Sequence, residues 1–250
     1  MITKLSIIIP AYNEEKRIAQ TLNEFLKYLK GKINFEILVV VNGCTDNTVG
    51  VVSQIAKKNK EIKYVDIGKV ASKGAAVIEG FKIADAELIG FVDADLATGP
   101  NAFYDLVKNI EDYDGVIASR WIKGAKMEHK QPITRILAGR TFNLIVNLFF
   151  NLKVKDTQCG AKLFKKNVIK KILPNMEKTT GWAFDVNLLY AVKRNNFKIK
   201  EIPTEWNEPG GSHLKFKTIF EMFLSIVRLR LIYSPFKFIV KIYNRVKNAI

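Results

Sequence analysis

The stretch ELIGFVDADLATGP, residues 87–100, ends an apolar run in two aspartates one residue apart, Asp93 and Asp95. Carboxylates spaced this way after a strand have three jobs open to them. They can hold a hard divalent cation such as Mg²⁺ or Mn²⁺, which prefers oxygen ligands and bridges to phosphates. They can work as an acid–base pair. Or they can cap loop and helix N–H groups. A bare D-x-D does not choose among these, so the elements that position the pair must.

Those elements alternate. Buried strands are expected at 5–12, 35–42, 62–67, 88–95 and 114–120, each short and rich in β-branched or aromatic residues. Between them, apolar spacing predicts helices over 14–30, 46–59, 73–84 and 100–110. Pro100 suits the first turn of the last of these. Strand–helix alternation implies an α/β fold, a mostly parallel sheet covered by helices on both faces. In such sheets ligands sit beyond the carboxyl ends of the strands, where Asp93 and Asp95 fall.

The second half reads differently. Residues 133–150 form an amphipathic helix dense in apolar residues, 154–166 a loop and strand, 182–194 a helix and 197–208 a strand before the loop PGGSHL. From Lys215 onward the chain interleaves apolar and basic residues, eight Lys or Arg against one acid, Glu221. The expected partition is a catalytic domain over 1–213 and a basic, amphipathic, membrane-associating tail over 214–250. No run reaches the roughly 18 apolar residues of a membrane span. The opening MITKLSIIIP carries no secretory pattern. Two distant cysteines, Cys44 and Cys159, argue against a disulfide framework and for a reducing compartment.

Charge narrows the partners. Forty basic residues face 24 acidic ones, a net +16. That balance fits a polyanionic partner, nucleic acid or an anionic membrane surface, or simply a lysine-rich surface. No nucleic-acid motif is present, and the aromatics sit among aliphatics rather than on a basic stacking surface. No nucleic acid is therefore expected.

The fragments SIIIPAYNEEKRI, VVNGCTDNT, SKGAAVIEGF, FVDADLAT, ASR, VKDTQCGAKLF, GWAFDVNLLY and EIPTEWNEPGGSHL occur in one order over about residues 3–214. Together they resemble the inverting, GT-A-fold glycosyltransferases that charge polyprenyl phosphates with one sugar. The resemblance is closest to the dolichyl-phosphate β-glucosyltransferases; the dolichyl-phosphate mannosyltransferases are more distant. DTQCG…KLF and WAFD favour the glucosyltransferase branch.

The resemblance implies roles. Pro10, Ala11, Tyr12 and Glu14 would meet the donor's base and ribose, with Asn42 hydrogen-bonding nearby. Lys73, opening a helix, would contact the nucleotide or its phosphates. Asp93 would touch the sugar or ribose. Asp95 would hold the Mg²⁺ or Mn²⁺ that neutralises the departing nucleoside diphosphate. Arg120 and Arg135, with His213, would bind the acceptor phosphate; Arg140 is a weaker candidate, and Ser212 and His213 sit in a glycine-rich loop that would cover the diphosphate. Asp185 matches the acidic position that serves as base in relatives with hydroxyl acceptors, and here would orient the acceptor or an arginine. Asp156 and Gln158 would shape the site. The sequence departs from the pattern twice. Val41 and Asn42 stand where relatives carry two aspartates, and Ala97 where mannosyltransferases carry a glutamine. Asp95 would then share its metal with diphosphate oxygens and water, so the metal would bind well only with the donor.

The expected activity is metal-dependent, inverting transfer of one hexose from a nucleoside diphosphate sugar, UDP-glucose by preference, to dolichyl or polyprenyl phosphate. Its place is peripheral, on the cytoplasmic face of a membrane. The alternative is an enzyme of the same fold acting on a saccharide hydroxyl, with Asp185 as base.

Overall fold

The computed structural model describes residues 4–68, 72–127, 132–177, 181–207, 216–238 and 240, with the side chains of 216–219 left aside. The first half alternates as its hydrophobic pattern requires. The elements are β1 (Leu5–Ala11), α1 (Ile18–Leu29), β2 (Phe35–Val41), α2 (Thr48–Lys58), β3 (Ile62–Asp66), α3 (Lys73–Ile83), β4 (Leu88–Phe91), α4 (Pro100–Lys108) and β5 (Gly115–Ser119). The second half adds β6 (Lys126–Met127), α5 (Ile133–Phe150), β7 (Lys162–Lys165), α6 (Lys166–Ile172), α7 (Phe184–Arg194), β8 (Ile199–Pro203), β9 (Glu205–Trp206) and α8 (Phe216–Ile232).

Seven strands form one sheet in the order β3-β2-β1-β4-β7-β5-β8, and β6 pairs with β9 apart from it. All neighbours in the large sheet run parallel except β7, which is antiparallel to both β4 and β5. Successive side chains of β1 point to opposite faces. Leu5, Ile7 and Ile9 join the core under α1 and α4, and Ile8 joins the core under α3, α6 and α7. Both faces are dry, which is why these strands read as unbroken apolar runs. Phe25, Phe91 and Phe103 are wholly buried; fully burying such a side chain contributes about 1.5–3 kcal/mol.

Among the boundaries that differ from the sequence reading, two lie at the site. The strand expected to reach Asp95 leaves the ladder at Phe91, because Asp95 folds its carboxylate back onto the Ala97 N–H and Leu96 takes a left-handed backbone, φ 60°. The helix expected from residue 14 begins at Ile18, because residues 15–17 form a turn closed by the Arg17 N–H donating to the Glu14 carbonyl at 2.9 Å.

A third cluster lies off the sheet. Val146 and Phe150 of α5, Ala183, Val186 of α7, and Ile226 and Leu229 of α8 pack together. Part of the expected tail therefore docks on the domain. The opposite side of α5 is bare: Ile133, Leu137, Leu144 and Leu148 are 61–79% exposed. Among the described residues no helix is long and apolar enough to cross a membrane.

Candidate active site

The carboxyl edge of β1, β2 and β4 opens into a cleft of about 360 Å³ lined by Pro10, Ala11, Tyr12, Glu14, Asn42, Lys73, Asp93, Ala94 and Asp95. The structure thus gathers every residue expected around a donor, from four separate loops, into one wall-to-wall site. Tyr12 stands half exposed at the mouth, while Asn42 is buried. The two loops carrying these residues are tied to each other. Asn13, with φ 55°, accepts from the Thr45 N–H at 2.8 Å and donates to the Thr45 hydroxyl at 3.2 Å. The Glu14 N–H donates to Thr48 Oγ1, and Asp46 accepts from the N–H groups of Glu15 and Thr48. Asp46 and Thr48 thus join the loop to the start of α2, whose N-cap position is Asn47 without a side-chain cap bond.

Charge in the cleft is unbalanced until a cation is counted. Lys73 Nζ lies 2.5 Å from Asp93 Oδ1. Burial alone pulls the Lys73 pKa down, but the carboxylates of Asp93, Asp185 and Asp95 more than offset it and leave it raised. Asp95 is lifted above the ordinary carboxylate range, first by burial and then by the charge of Asp93; the Ala97 N–H, Arg17 and Lys73 oppose this. Glu14 is lifted too, mainly by burial, despite the bidentate fork of Arg17 at 2.8 and 2.9 Å. Carboxyls crowded in this way fit a hard cation, which favours their ionised form. Among the described residues no three His, Cys, Asp or Glu side chains form a cage. A metal at Asp95 would need a ligand's own oxygens or water to complete its shell.

The antiparallel β7 delivers the opposite wall. Lys162 pairs with Phe91 across the β4–β7 ladder. Continuing that register two residues past its end sets Gly160 against Asp93. Gly160 is indeed so close that a Cβ there would stand 2.0 Å from Asp93 Oδ2. Lys162 is wholly buried; its ammonium donates to Asp185 Oδ1 at 2.5 Å and to the Cys159 carbonyl at 2.6 Å. Asp185, in the first turn of α7, is therefore paired with a lysine rather than with an arginine. Neither Gly160 nor Lys162 stood out in the sequence. The available signal was a lysine inside an apolar strand pattern, AKLF, where only a paired charge survives burial.

Arg120 follows β5 and is braced on one side by Asp156. Its Nε and Nη2 donate to Asp156 at 2.7 and 2.9 Å, and its backbone N–H adds a third bond at 3.0 Å. Asp156 also accepts from the N–H groups of Gln158 and Cys159. This is a buried, fully bonded pair, and it takes two of the five N–H donors of the guanidinium. Asp93 is near enough to contribute to the Arg120 field. Arg135, in the first turn of α5, has its pKa lowered by burial and by the charge of Arg120. The charge of Arg120 thus reaches Arg135, and an anion between them would offset that repulsion. Arg140 stacks over Trp121 at 5.0 Å instead. Gln158 Nε2 is buried without a partner among the described residues. His213 and Ser212 lie outside the described residues.

A mostly parallel sheet with paired aspartates after the central strand is the arrangement implied by the glycosyltransferase resemblance. The family model described as glycosyl transferase family 2 matches residues 6–173. The chain belongs to that family. It is 33% identical over 249 residues to a dolichyl-phosphate beta-glucosyltransferase of Trichomonas vaginalis, covering 94% of this chain and 73% of that one. It is likewise 33% identical over 233 residues to the dolichyl-phosphate beta-glucosyltransferase of Saccharomyces cerevisiae, covering 84% and 69%. Among solved structures it superposes on glucosyl-3-phosphoglycerate synthase from Mycobacterium tuberculosis, determined with Mn²⁺, UDP and phosphoglyceric acid. There the TM-score is 0.69 at 17% identity, over 92% of this chain and 78% of that one. The fold is the GT-A, Rossmann-like fold expected, and the resemblance to the glucosyltransferase branch is borne out.

Proposed function

We propose that the protein transfers one glucose, with inversion, from UDP-glucose to dolichyl or another polyprenyl phosphate. The observation that supports this reading is the acidic cleft at Asp93 and Asp95, with Asp93 close enough to act on the Arg120 guanidinium and Arg120 in turn on Arg135. A phosphate monoester is already an anionic nucleophile, so it needs holding in line more than deprotonation. Arg135, with Arg120 braced by Asp156, would hold it. Tyr12, Asn42 and Pro10 would seat the base and ribose, and Lys73 would meet the diphosphate. Asp93 would orient the sugar. Asp95 would hold Mg²⁺ or Mn²⁺, which when bound neutralises charge on the departing diphosphate. The saccharide-hydroxyl alternative loses ground, because its base, Asp185, is buried with one oxygen on Lys162.

The acceptor lives in a bilayer, and the bare face of α5 offers a route to it. Ile133, Leu137, Leu144 and Leu148 would enter the lipid interface, with Phe220 and Leu224 of α8 beside them. Basic residues nearby would add about 1 kcal/mol each on an anionic leaflet. Docking would be peripheral, on the cytoplasmic face. The test is transfer of label from radiolabelled UDP-glucose with Mn²⁺ into dolichyl phosphate. Label must appear in the organic phase as an alkali-stable, acid-labile lipid. Its absence with UDP-glucose, UDP-N-acetylglucosamine and GDP-mannose alike refutes the lipid-phosphate reading.

A further inference from the structure

Four charges beside the cleft alternate in sign: Lys162, Asp185, Lys73, Asp93. Lys162 bonds Asp185 at 2.5 Å, and Lys73 bonds Asp93 at 2.5 Å. Asp185 is the second carboxylate acting on Lys73, after Asp93. The ring of Phe91 packs against both ammonium groups, 5.3 Å from Lys162 Nζ and 5.6 Å from Lys73 Nζ. Only the far end of this row opens to the cleft; Lys162 is wholly buried. A buried lysine is tolerated where its charge is paired and its N–H groups are bonded. Here those bonds reach the cleft twice. Through Asp185 the ammonium acts on Lys73. Through the Cys159 carbonyl, at 2.6 Å, it fixes the Cys159–Gly160 peptide against which Asp93 rests.

We propose that Lys162 is a positioning residue of the transfer reaction, setting Asp93 and Lys73 for the donor by clamping Asp185 and the Cys159 carbonyl from within the core. This rests on the reading of the cleft as the donor site. Its own content is that the clamp, and not merely charge neutrality in the core, governs donor binding.

Three variants separate the two: Lys162→Met, Asp185→Asn, and the double Lys162→Met/Asp185→Asn. Direct binding of UDP, and in parallel GDP, with Mn²⁺ is measured by calorimetry, beside Tm and lipid-transfer kinetics. Lys162→Met leaves a buried carboxylate unpaired and lowers Tm. The double variant removes both charges and restores Tm towards the wild-type value. The proposal expects nucleotide affinity and kcat to stay about 10- to 100-fold down in the double variant, the loss typical of outer-shell partners, with the acceptor KM unchanged. A double variant that regains affinity and kcat together with Tm would show a structural pair only and overturn the proposal. A wild-type protein that binds neither nucleotide would instead refute the donor-site reading. If Lys162→Met does not fold, the double variant alone decides.

Discussion

Gly160→Ala adds a single methyl group at the tightest point of the site. The new Cβ would stand 2.0 Å from Asp93 Oδ2, 2.5 Å from Cγ and 3.2 Å from Oδ1. Ordinary contact begins at 3.4 Å, so the carboxylate must retreat by about 1.4 Å. That retreat breaks the 2.5 Å contact with Lys73. Misplacing a reacting group by about 1 Å costs on the order of 100-fold in rate, which corresponds to about 2.7 kcal/mol of transition-state stabilisation. The fold is spared. Gly160 is not in the left-handed region, so alanine strains no backbone there, and Asp93 is one-third exposed and free to swing outward. We expect kcat/KM for glucose transfer from UDP-glucose to dolichyl phosphate to fall about 100-fold, with Tm moving by no more than about 2 °C. The cause is isolated by repeating the change in an Asp93→Ala background and measuring UDP affinity. With the clashing atoms gone, Gly160→Ala should change nothing there, a non-additivity that only contacting residues show. A Gly160→Ala enzyme within threefold of wild type would refute the placement of Asp93 against this peptide.

Three further outcomes are expected. Because burial and Asp93 lift the Asp95 carboxyl above its unfolded value, the folded protein binds that proton up to a higher pH than the unfolded chain, and ionising it costs stability. Asp95→Asn should therefore raise the metal-free Tm at pH 7, by a margin that vanishes as pH falls towards the ordinary value of 3.8. Mn²⁺ with UDP should stabilise wild type but not the variant; equal stabilisation of both would remove Asp95 from the metal. Burial pushes the Cys159 thiol up to about 11, so at pH 8 only about one molecule in a thousand carries its thiolate. Iodoacetamide should give one adduct on the native protein, at the partly buried Cys44, and a second only after unfolding; mass spectrometry showing two at once would contradict the buried placement of Cys159. Finally, Leu144→Asp with Leu148→Asp removes two leucines that are 70% and 79% exposed. It should leave Tm unchanged and weaken sedimentation with anionic liposomes at least tenfold, since burying a leucine is worth about 1.5–3 kcal/mol. Undiminished liposome binding would show that α5 is not the lipid-facing element.

The donor half of the cleft was legible because it is built from consecutive, local signals. Each parallel strand ends where its apolar run ends, and the residue after the run must fall at the carboxyl edge. Pro10, Asn42 and Asp93 could be placed by that rule alone. The acceptor half follows no such rule. Its residues are set by β7, whose direction no periodicity reveals, since a strand reads the same parallel or antiparallel. Once β7 runs against β4, the Phe91–Lys162 pairing places Gly160 on Asp93 and a lysine in the core. The brace on Arg120 was hidden for a related reason. Its partner, Asp156, lies 36 residues away in sequence, and the bond forms because β5 and the approach to β7 lie side by side.

The same reversal explains why the two halves work as one site. In a purely parallel sheet, the segment leading into each strand starts at the far, amino edge, so only the loops leaving strands reach a ligand. An antiparallel strand brings its leading segment to the carboxyl edge instead. Residues 156–161 thus enter the site from the opposite direction to 92–97, and the two meet face to face at Asp93 and Gly160. One end of the entering segment, Asp156, braces Arg120; the other, Lys162, clamps Asp185. The Asp93 and Arg120 sides of the cleft are therefore held by one seven-residue stretch. A shift there would move both at once, so the distance between the Asp93 carboxylate and the Arg120 guanidinium, on the proposed function the sugar and phosphate sides of the reaction, is fixed by the backbone between them.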